Sequence, residues 1–262
     1  MSYLMDLHVY TSNSPDTRDK ISFMCETAVE KNLRAVAFTD VICPWEENAF
    51  DLKRRVLHCY FDVCKVKRLF CDSLSVFAGI ELREPFLAPD AVSKILASQR
   101  YDIVLASVTR FSDEEAFNLS PDMPQEAFNA FAHRYCGALL QTVETVDFDV
   151  LSRILAPLRE TRADYALFES GMQQVLAKLA ERKMAFEIDT RDILGSERIR
   201  DLYLRLASFF LQAGGEHITF GSESTSHDEL GSGVEIAMQA MKRIGFKTYS
   251  FYEGRTPYTV QL

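Results

Sequence analysis

His8, Glu81 and Glu223 are side chains that ligate metals or move protons, and each stands at the polar end of a short apolar run. Asp40 and Arg153 stand at the ends of two more such runs, as do Tyr10, Val41, Thr109 and Thr225. An imidazole converging with carboxylates is what a divalent cation or an acid–base pair requires. A guanidinium among them is a bidentate partner for phosphate or carboxylate. The chemistry open to this set therefore depends on whether the chain brings the run ends together.

The runs that must do so are Met5 to Thr11, Arg34 to Asp40, Ser75 to Leu82, Tyr101 to Thr109, Phe148 to Leu155, Met184 to Thr190 and His217 to Ser224. Stretches such as Ala35-Val36-Ala37-Phe38 and Ile103-Val104-Leu105-Ala106 are continuously apolar, as parallel strands buried on both faces are. Between them lie segments of helical period. Over Asp16 to Asn32, Ile21, Met24, Cys25, Ala28 and Val29 form one face, with Asp16 as cap after Pro15. Helices are also expected over Glu46 to Cys71, Asp90 to Ser98, Asp122 to Thr145, Asp164 to Arg182, Ser196 to Gln212 and Asp228 to Ile244, the last closed by Gly245. Strand and helix alternating seven times predict an α/β fold: a distorted (β/α)7 TIM-like barrel with its polar residues at the C-terminal strand ends. Gly231-Ser232-Gly233 follows no strand directly and is not read as a dinucleotide loop.

Composition narrows the class. The 262 residues are 47% hydrophobic, enough for one barrel domain spanning 1–262. A net charge of −9 argues against nucleic acid or anionic membrane as a partner. No stretch reaches the roughly 18 apolar residues of a membrane span. Met1 to Asp6 has neither a charged nor an apolar leader region, so a cytoplasmic protein is expected. Cys25, Cys43, Cys59, Cys64, Cys71 and Cys136 contain no C-x-x-C pair and are expected as free, mostly buried thiols.

Taken in order, these run ends resemble the PHP superfamily, and within it the monofunctional histidinol-phosphatase family. The resemblance spans almost the whole chain. It includes Phe148-Asp149-Val150-Leu151 with Pro157-Leu158-Arg159, Glu187-Ile188-Asp189-Thr190, Gly214-Gly215-Glu216-His217-Ile218-Thr219, Gly245-Phe246-Lys247 and the tail Phe251 to Pro257. It implies a (β/α)7 barrel whose site holds two or three divalent metals, bound mainly by histidines with a bridging Glu and a terminal Asp. Such a cluster activates water for phosphomonoester hydrolysis, here of L-histidinol phosphate in histidine biosynthesis.

The ligand pattern departs from that family. His-x-His has become His8 with Tyr10, and Thr-Asp-His has become Thr39-Asp40-Val41. Ser-Val-His has become Ser107-Val108-Thr109, and the histidine after Asp-Val-Leu appears as Arg153. Ser-Asp-Ala-His has become Ser222-Glu223-Ser224-Thr225. Tyr10, Val41, Thr109, Arg153 and Thr225 thus replace histidines, and His8, Glu81 and Glu223 are the metal positions that keep ligand chemistry. No cofactor is expected, or at most a single Zn, Mn or Fe. Arg153 admits two roles. It pairs with Glu81 or Glu223 and fills space, or, with Arg159 and Arg110 near it, it binds a small phosphorylated or carboxylated molecule.

Three functions follow. One is a barrel that has lost its metals and its turnover and survives by binding. The second is an active phosphomonoesterase on one metal or none, with Arg153 stabilising phosphoryl charge and Asp40 or Glu223 handling protons. The third is a structural barrel with a vestigial pocket. His58, His133 and His217 are read as surface or packing residues, His227 as a displaced ligand at most, and Trp45 as a residue of the pocket mouth or core edge. Glu46-Glu47 and Asp113-Glu114-Glu115 are read as solvated helix starts. The oligomeric state has no sequence signal.

Overall fold

A computed structural model describes residues 3–14, 17, 19–45, 48–112, 115–117 and 119–262. Pro15, Asp16, Glu46, Glu47, Asp113 and Glu114, and with them the expected cap and two acidic helix starts, lie outside these residues, as do Met1 and Ser2 of the leader reading. The strands are β1 (Met5–Val9), β2 (Ala35–Phe38), β3 (Val41–Ile42), β4 (Ser75–Arg83), β5 (Ile103–Ser107), β6 (Val150–Leu151), β7 (Ala185–Asp189) and β8 (Ile218–Gly221). They run parallel in the order β1-β2-β4-β5-β6-β7-β8. β2 and β3 both pair with β4, so they are one stave broken at Thr39 and Asp40. A parallel bridge from Val9 to Ser224, with the Tyr10 amide donating to the Ser224 carbonyl at 3.0 Å, brings β8 back to β1. The seven expected staves are therefore present, nearly closed into a barrel.

The helices between them are α1 (Ile21–Glu30), α2 (Ala49–Leu69), α3 (Pro89–Ser98), α4 (Gln125–Thr145), α5 (Ala166–Glu181), α6 (Thr190–Leu194), α7 (Glu197–Gln212) and α8 (Val234–Ile244). Ser196 caps α7 by accepting from the Ile199 amide at 3.4 Å, and Asn48 caps α2. The expected helix from Asp228 is shorter. Residues 228–233 form turns because Gly231 and Gly233 take φ of 71° and 77°, and the Gly231 amide donates to Asp6 Oδ2 at 2.8 Å.

No disulfide joins the six thiols, as expected, but only Cys25, Cys59 and Cys136 are buried; Cys43 and Cys64 are half-buried and Cys71 is exposed. The last segment forms the antiparallel hairpin β9 (Thr248–Glu253) and β10 (Thr256–Gln261). Its turn locks onto the N-terminal side of β5 and β6. The Arg255 guanidinium donates to Asp147 at 2.8 and 2.9 Å and to Asp149 at 3.1 and 3.2 Å, while Asp149 also accepts from the Val104 amide at 2.8 Å. The tail motif is thus an anchor at the end of the barrel opposite the site.

The core under the strand ends is aromatic. Tyr135 stacks on Phe131 at 5.4 Å and on Phe168 at 6.2 Å, and its hydroxyl donates to the Ile154 carbonyl beside Arg153. Tyr203 of α7 donates to the Glu187 carbonyl at 2.7 Å and accepts from the Asp189 amide at 3.1 Å, fixing the end of β7. Gly221 of β8 permits a close approach, because a Cβ there would fall inside contact distance of His8 Cβ and the Glu187 carboxylate. Gly221→Ala should destabilise the protein by about 1–3 kcal/mol, as overpacking against a rigid neighbour does, measurable as a lowered urea midpoint.

Candidate functional site

The alternation of β1 places His8 and Tyr10 on one face of the strand, with Leu7 and Val9 on the other. His8 Nδ1 lies 2.6 Å from Glu187 Oε1, and Nε2 lies 2.9 Å from the Tyr10 hydroxyl. That hydroxyl donates to Glu81 Oε2 at 2.8 Å and accepts from Arg153 Nη1 at 3.0 Å. Glu81 also accepts from Ser107 Oγ at 2.5 Å and from Arg83 Nε and Nη2 at 3.2 and 3.4 Å.

On the other side, Arg153 Nη1 donates to Glu223 Oε2. Arg159 donates to Glu223 Oε1 at 3.0 Å, to Asp189 Oδ2 at 2.6 Å and to Asp192 Oδ1 at 2.7 Å. Arg191 Nη1 stands 4.0 Å from Glu223. The structure therefore brings His8, Tyr10, Glu81, Arg153, Arg159 and Glu223 into one network, in which the two arginines alone keep part of their surface in water.

The backbone at two of these positions is unusual. Arg153 and Glu223 adopt φ of 60° and 51°, and neighbouring Glu84 adopts 45°. Left-handed backbone at a non-glycine residue costs roughly 1 kcal/mol. Three such residues at the strand ends show a mouth whose chain path aims side chains inward at the expense of stability.

The charges in the network set one another. Burial would raise the Glu81 carboxyl, but Arg83, His8 and Arg153 hold it well below its usual range. Glu223 is likewise held below its usual range against burial, by Arg153, Asp189 and Arg159. Burial and the neighbouring Glu223 and Asp192 carboxylates push Asp189 well above its usual value, against the lowering effect of Arg159. His8 would be lowered by burial, yet the Glu187 carboxylate and its other partners lift it well above its usual value. Burial, with Glu81 beside it, pushes the Tyr10 phenol up to about 12.

These residues do not fit a multinuclear metal centre. Among the described residues no group of three or more His, Cys, Asp or Glu side chains is arranged to hold a metal ion. The reason lies in the donor set. Both nitrogens of His8 face protein partners, the Tyr10 phenol holds its proton, and a guanidinium stands where Glu81 and Glu223 would share a cation.

Several expected site residues belong elsewhere. Asp40 turns to its own loop: its oxygens accept from the Thr11 amide, the Thr11 hydroxyl and the Ser14 hydroxyl, each at 2.7 Å, which ties down the loop after β1. Thr109 donates through its amide and, at 2.8 Å, its hydroxyl to Glu84. Thr225 turns to Glu229, and Val41 is a buried strand residue. Arg110 lies over the Trp45 ring at 4.6 Å, and Trp45 donates to Glu84 at 3.3 Å. His227 pairs with Asp19 at 2.8 Å, and His217 with Ser250 at 2.9 Å. Of the two roles open to Arg153, the contacts match pairing with Glu81 and Glu223.

Sequence reasoning gave no site role to Arg83, Glu187, Asp189 and Asp192, although Glu187 and Asp189 belong to a stretch that carries the resemblance. The missed signal was strand period: Arg83 follows Glu81 by two residues and Asp189 follows Glu187 by two, so each pair shares a face.

A family model described as PHP domain matches residues 6–191. A probable histidinol-phosphatase of Thermotoga maritima is 25% identical over 173 residues, covering 66% of this chain and 69% of its own. The histidinol-phosphatase of Lactococcus lactis subsp. lactis is 22% identical over 261 residues, covering 95% and 94%. A crystal structure of a histidinol phosphate phosphatase from Lactococcus lactis, complexed with zinc, L-histidinol and phosphate, superposes with a TM-score of 0.82 at 19% identity, covering 98% of this chain and 99% of that one. At that identity the superposition shows the shared fold.

Proposed function

Starting from the fact that this chain belongs to the PHP domain family and is similar to histidinol-phosphatases, we propose that it is a non-hydrolytic member, a cytoplasmic barrel domain over residues 1–262 that acts by binding rather than by turnover. The observation that carries this reading is the Arg153 guanidinium, which contacts Glu223 and lies 3.7 Å from Glu81. Water is activated for phosphoester attack by a cation that lowers its pKa or by a base free to accept its proton. Glu81 and Glu223 are engaged by guanidinium contacts, Asp40 is engaged by loop donors, and both ring nitrogens of His8 face protein partners.

A second reading, a small phosphate or carboxylate ligand, draws on the partial exposure of Arg159 and Arg191 at the rim of the network. It requires an incoming anion to displace Glu223 from one of them.

The deciding measurement is hydrolysis of L-histidinol phosphate and of an aryl phosphate by protein purified without a histidine tag, with zinc, manganese or iron(II) added. Turnover indistinguishable from buffer is expected. Metal-dependent turnover that His8→Ala abolishes sinks the proposal. Inorganic phosphate raising the melting temperature, with the rise lost in Arg159→Met, favours the second reading.

A further inference from the structure

α1 and α2 lie side by side on the outside of the barrel, and their inner faces share one core, with Met24 and Ala28 of α1 in the same cluster as Val63 and Val66 of α2. Their outer faces differ in charge. α1 carries Glu26 and Glu30 and no basic residue, and both glutamates are exposed. α2 carries six basic residues against two acidic ones, in a chain whose net charge is −9. The same faces hold apolar side chains in water. Of the ten large apolar side chains exposed among the described residues, five stand here: Phe23 and Val29 on α1, and Phe50, Phe61 and Leu69 on α2. Phe50 is 75% exposed, Leu69 72% and Phe61 54%. Phe50, Leu57 and Phe61 follow at i, i+7 and i+11, which puts them on one line along the helix. Beside that line a groove of about 920 Å³ opens between Arg54, Leu57, His58, Phe61 and Lys65. Single exposed apolar residues are ordinary, but their concentration on one face, rimmed by charge, marks an interaction surface.

We propose that this face pairs with the same face of a second copy of the chain, α1 of each protomer lying against α2 of the other. A two-fold interface sets residue i against j and j against i, so an acidic helix beside a basic one is complementary to itself. Glu26 and Glu30 then meet the basic helix of the second copy twice over, and the exposed rings leave water. The area agrees with this occupant. Helices of 10 and 21 residues are about 15 and 32 Å long, and side by side they present roughly 500–600 Å² per chain. Two such faces hide roughly 1,000–1,200 Å² together, the lower end of specific interfaces, so the dimer should depend on concentration and on salt.

The test is sedimentation velocity of the untagged full chain over a concentration series, in about 50 and about 500 mM sodium chloride. Wild type should dimerise in low salt and dissociate in high salt. Two charge-reversed proteins probe the two helices: Glu26→Lys/Glu30→Lys on α1, and Arg54→Glu/Lys65→Glu/Arg68→Glu on α2. Each alone sets like charges together at both contacts and should be monomeric. Mixed in equal amounts, they restore opposite charges at both contacts and should form a dimer. Phe61→Ser, which leaves every charge in place, should weaken association at least about tenfold, as truncating an aromatic anchor does. All these positions are on the surface, and circular dichroism checks that each variant is folded. The proposal is overturned if wild type is monomeric at about 100 μM in low salt, if either reversed protein or Phe61→Ser dimerises as wild type does, or if the mixture stays monomeric. A monomeric wild type would leave the face to an acidic helix of another protein.

Discussion

Glu223→Ala should remove about 3–5 kcal/mol of stability, the range seen when one partner of a buried ion pair is deleted. The size of the loss follows from what is left behind. Glu223 accepts from Arg153 and Arg159 and faces Arg191, so its removal leaves two part-buried guanidinium groups short of their counter-charge. Alanine relieves nothing, since the backbone there stays at a φ of 51°. For a chain of this length such a loss lowers the melting temperature by roughly 6–15 °C. The companion variant Arg153→Met/Glu223→Ala should be less destabilised than the sum of its singles, because it removes both members of one pair. Equilibrium urea unfolding of the four proteins measures this. A loss under about 1 kcal/mol in Glu223→Ala would show that the network is solvated rather than sealed.

Stability should peak in mildly acidic solution and fall on both sides. Glu81 and Glu223 have folded-state pKa values below the ordinary 4.5. Their contribution is present above that value and is lost as pH falls toward the depressed ones. His8 has a folded-state pKa well above 6.5. Its contribution is complete below 6.5 and drains away as pH rises through the elevated value. Asp189, raised above 3.8, works in the same direction as His8. The optimum therefore lies between about pH 4.5 and 6.5, and the alkaline limb falls by up to about 1.4 kcal/mol per pH unit for His8 alone. Urea midpoints at pH 5.5, 7 and 8.5 should decline in that order, and His8→Gln should flatten the decline. A midpoint that rises from pH 5.5 to 8.5 rules out a charged His8 in the folded barrel.

The strand ends were legible because parallel strands buried on both faces must be apolar until they emerge, so a polar residue after such a run marks the mouth. That placed His8, Tyr10, Glu81, Arg153 and Glu223 together. It also placed Asp40, Thr109 and Thr225 there, and these the fold turns away. Their contacts are with neighbours close by in the structure: Thr11 and Ser14 for Asp40, Glu84 for Thr109, Glu229 for Thr225. A hydroxyl or carboxyl at a strand end can serve its own loop or the shared pocket, and residue type does not distinguish the two.

The order of strands and helices and the residue types at the strand ends were settled by the sequence by itself, since periodicity and side-chain chemistry are local properties. Which carboxylate each arginine meets was decided only by the tertiary structure. Glu81 lies 72 residues before Arg153 and Glu223 lies 70 after it. Their meeting depends on barrel closure and on left-handed turns at 153 and 223 that no local pattern announces. Charge pairing inside a closed barrel is a long-range outcome: what a buried guanidinium neutralises is set by whichever strand ends the fold carries to it.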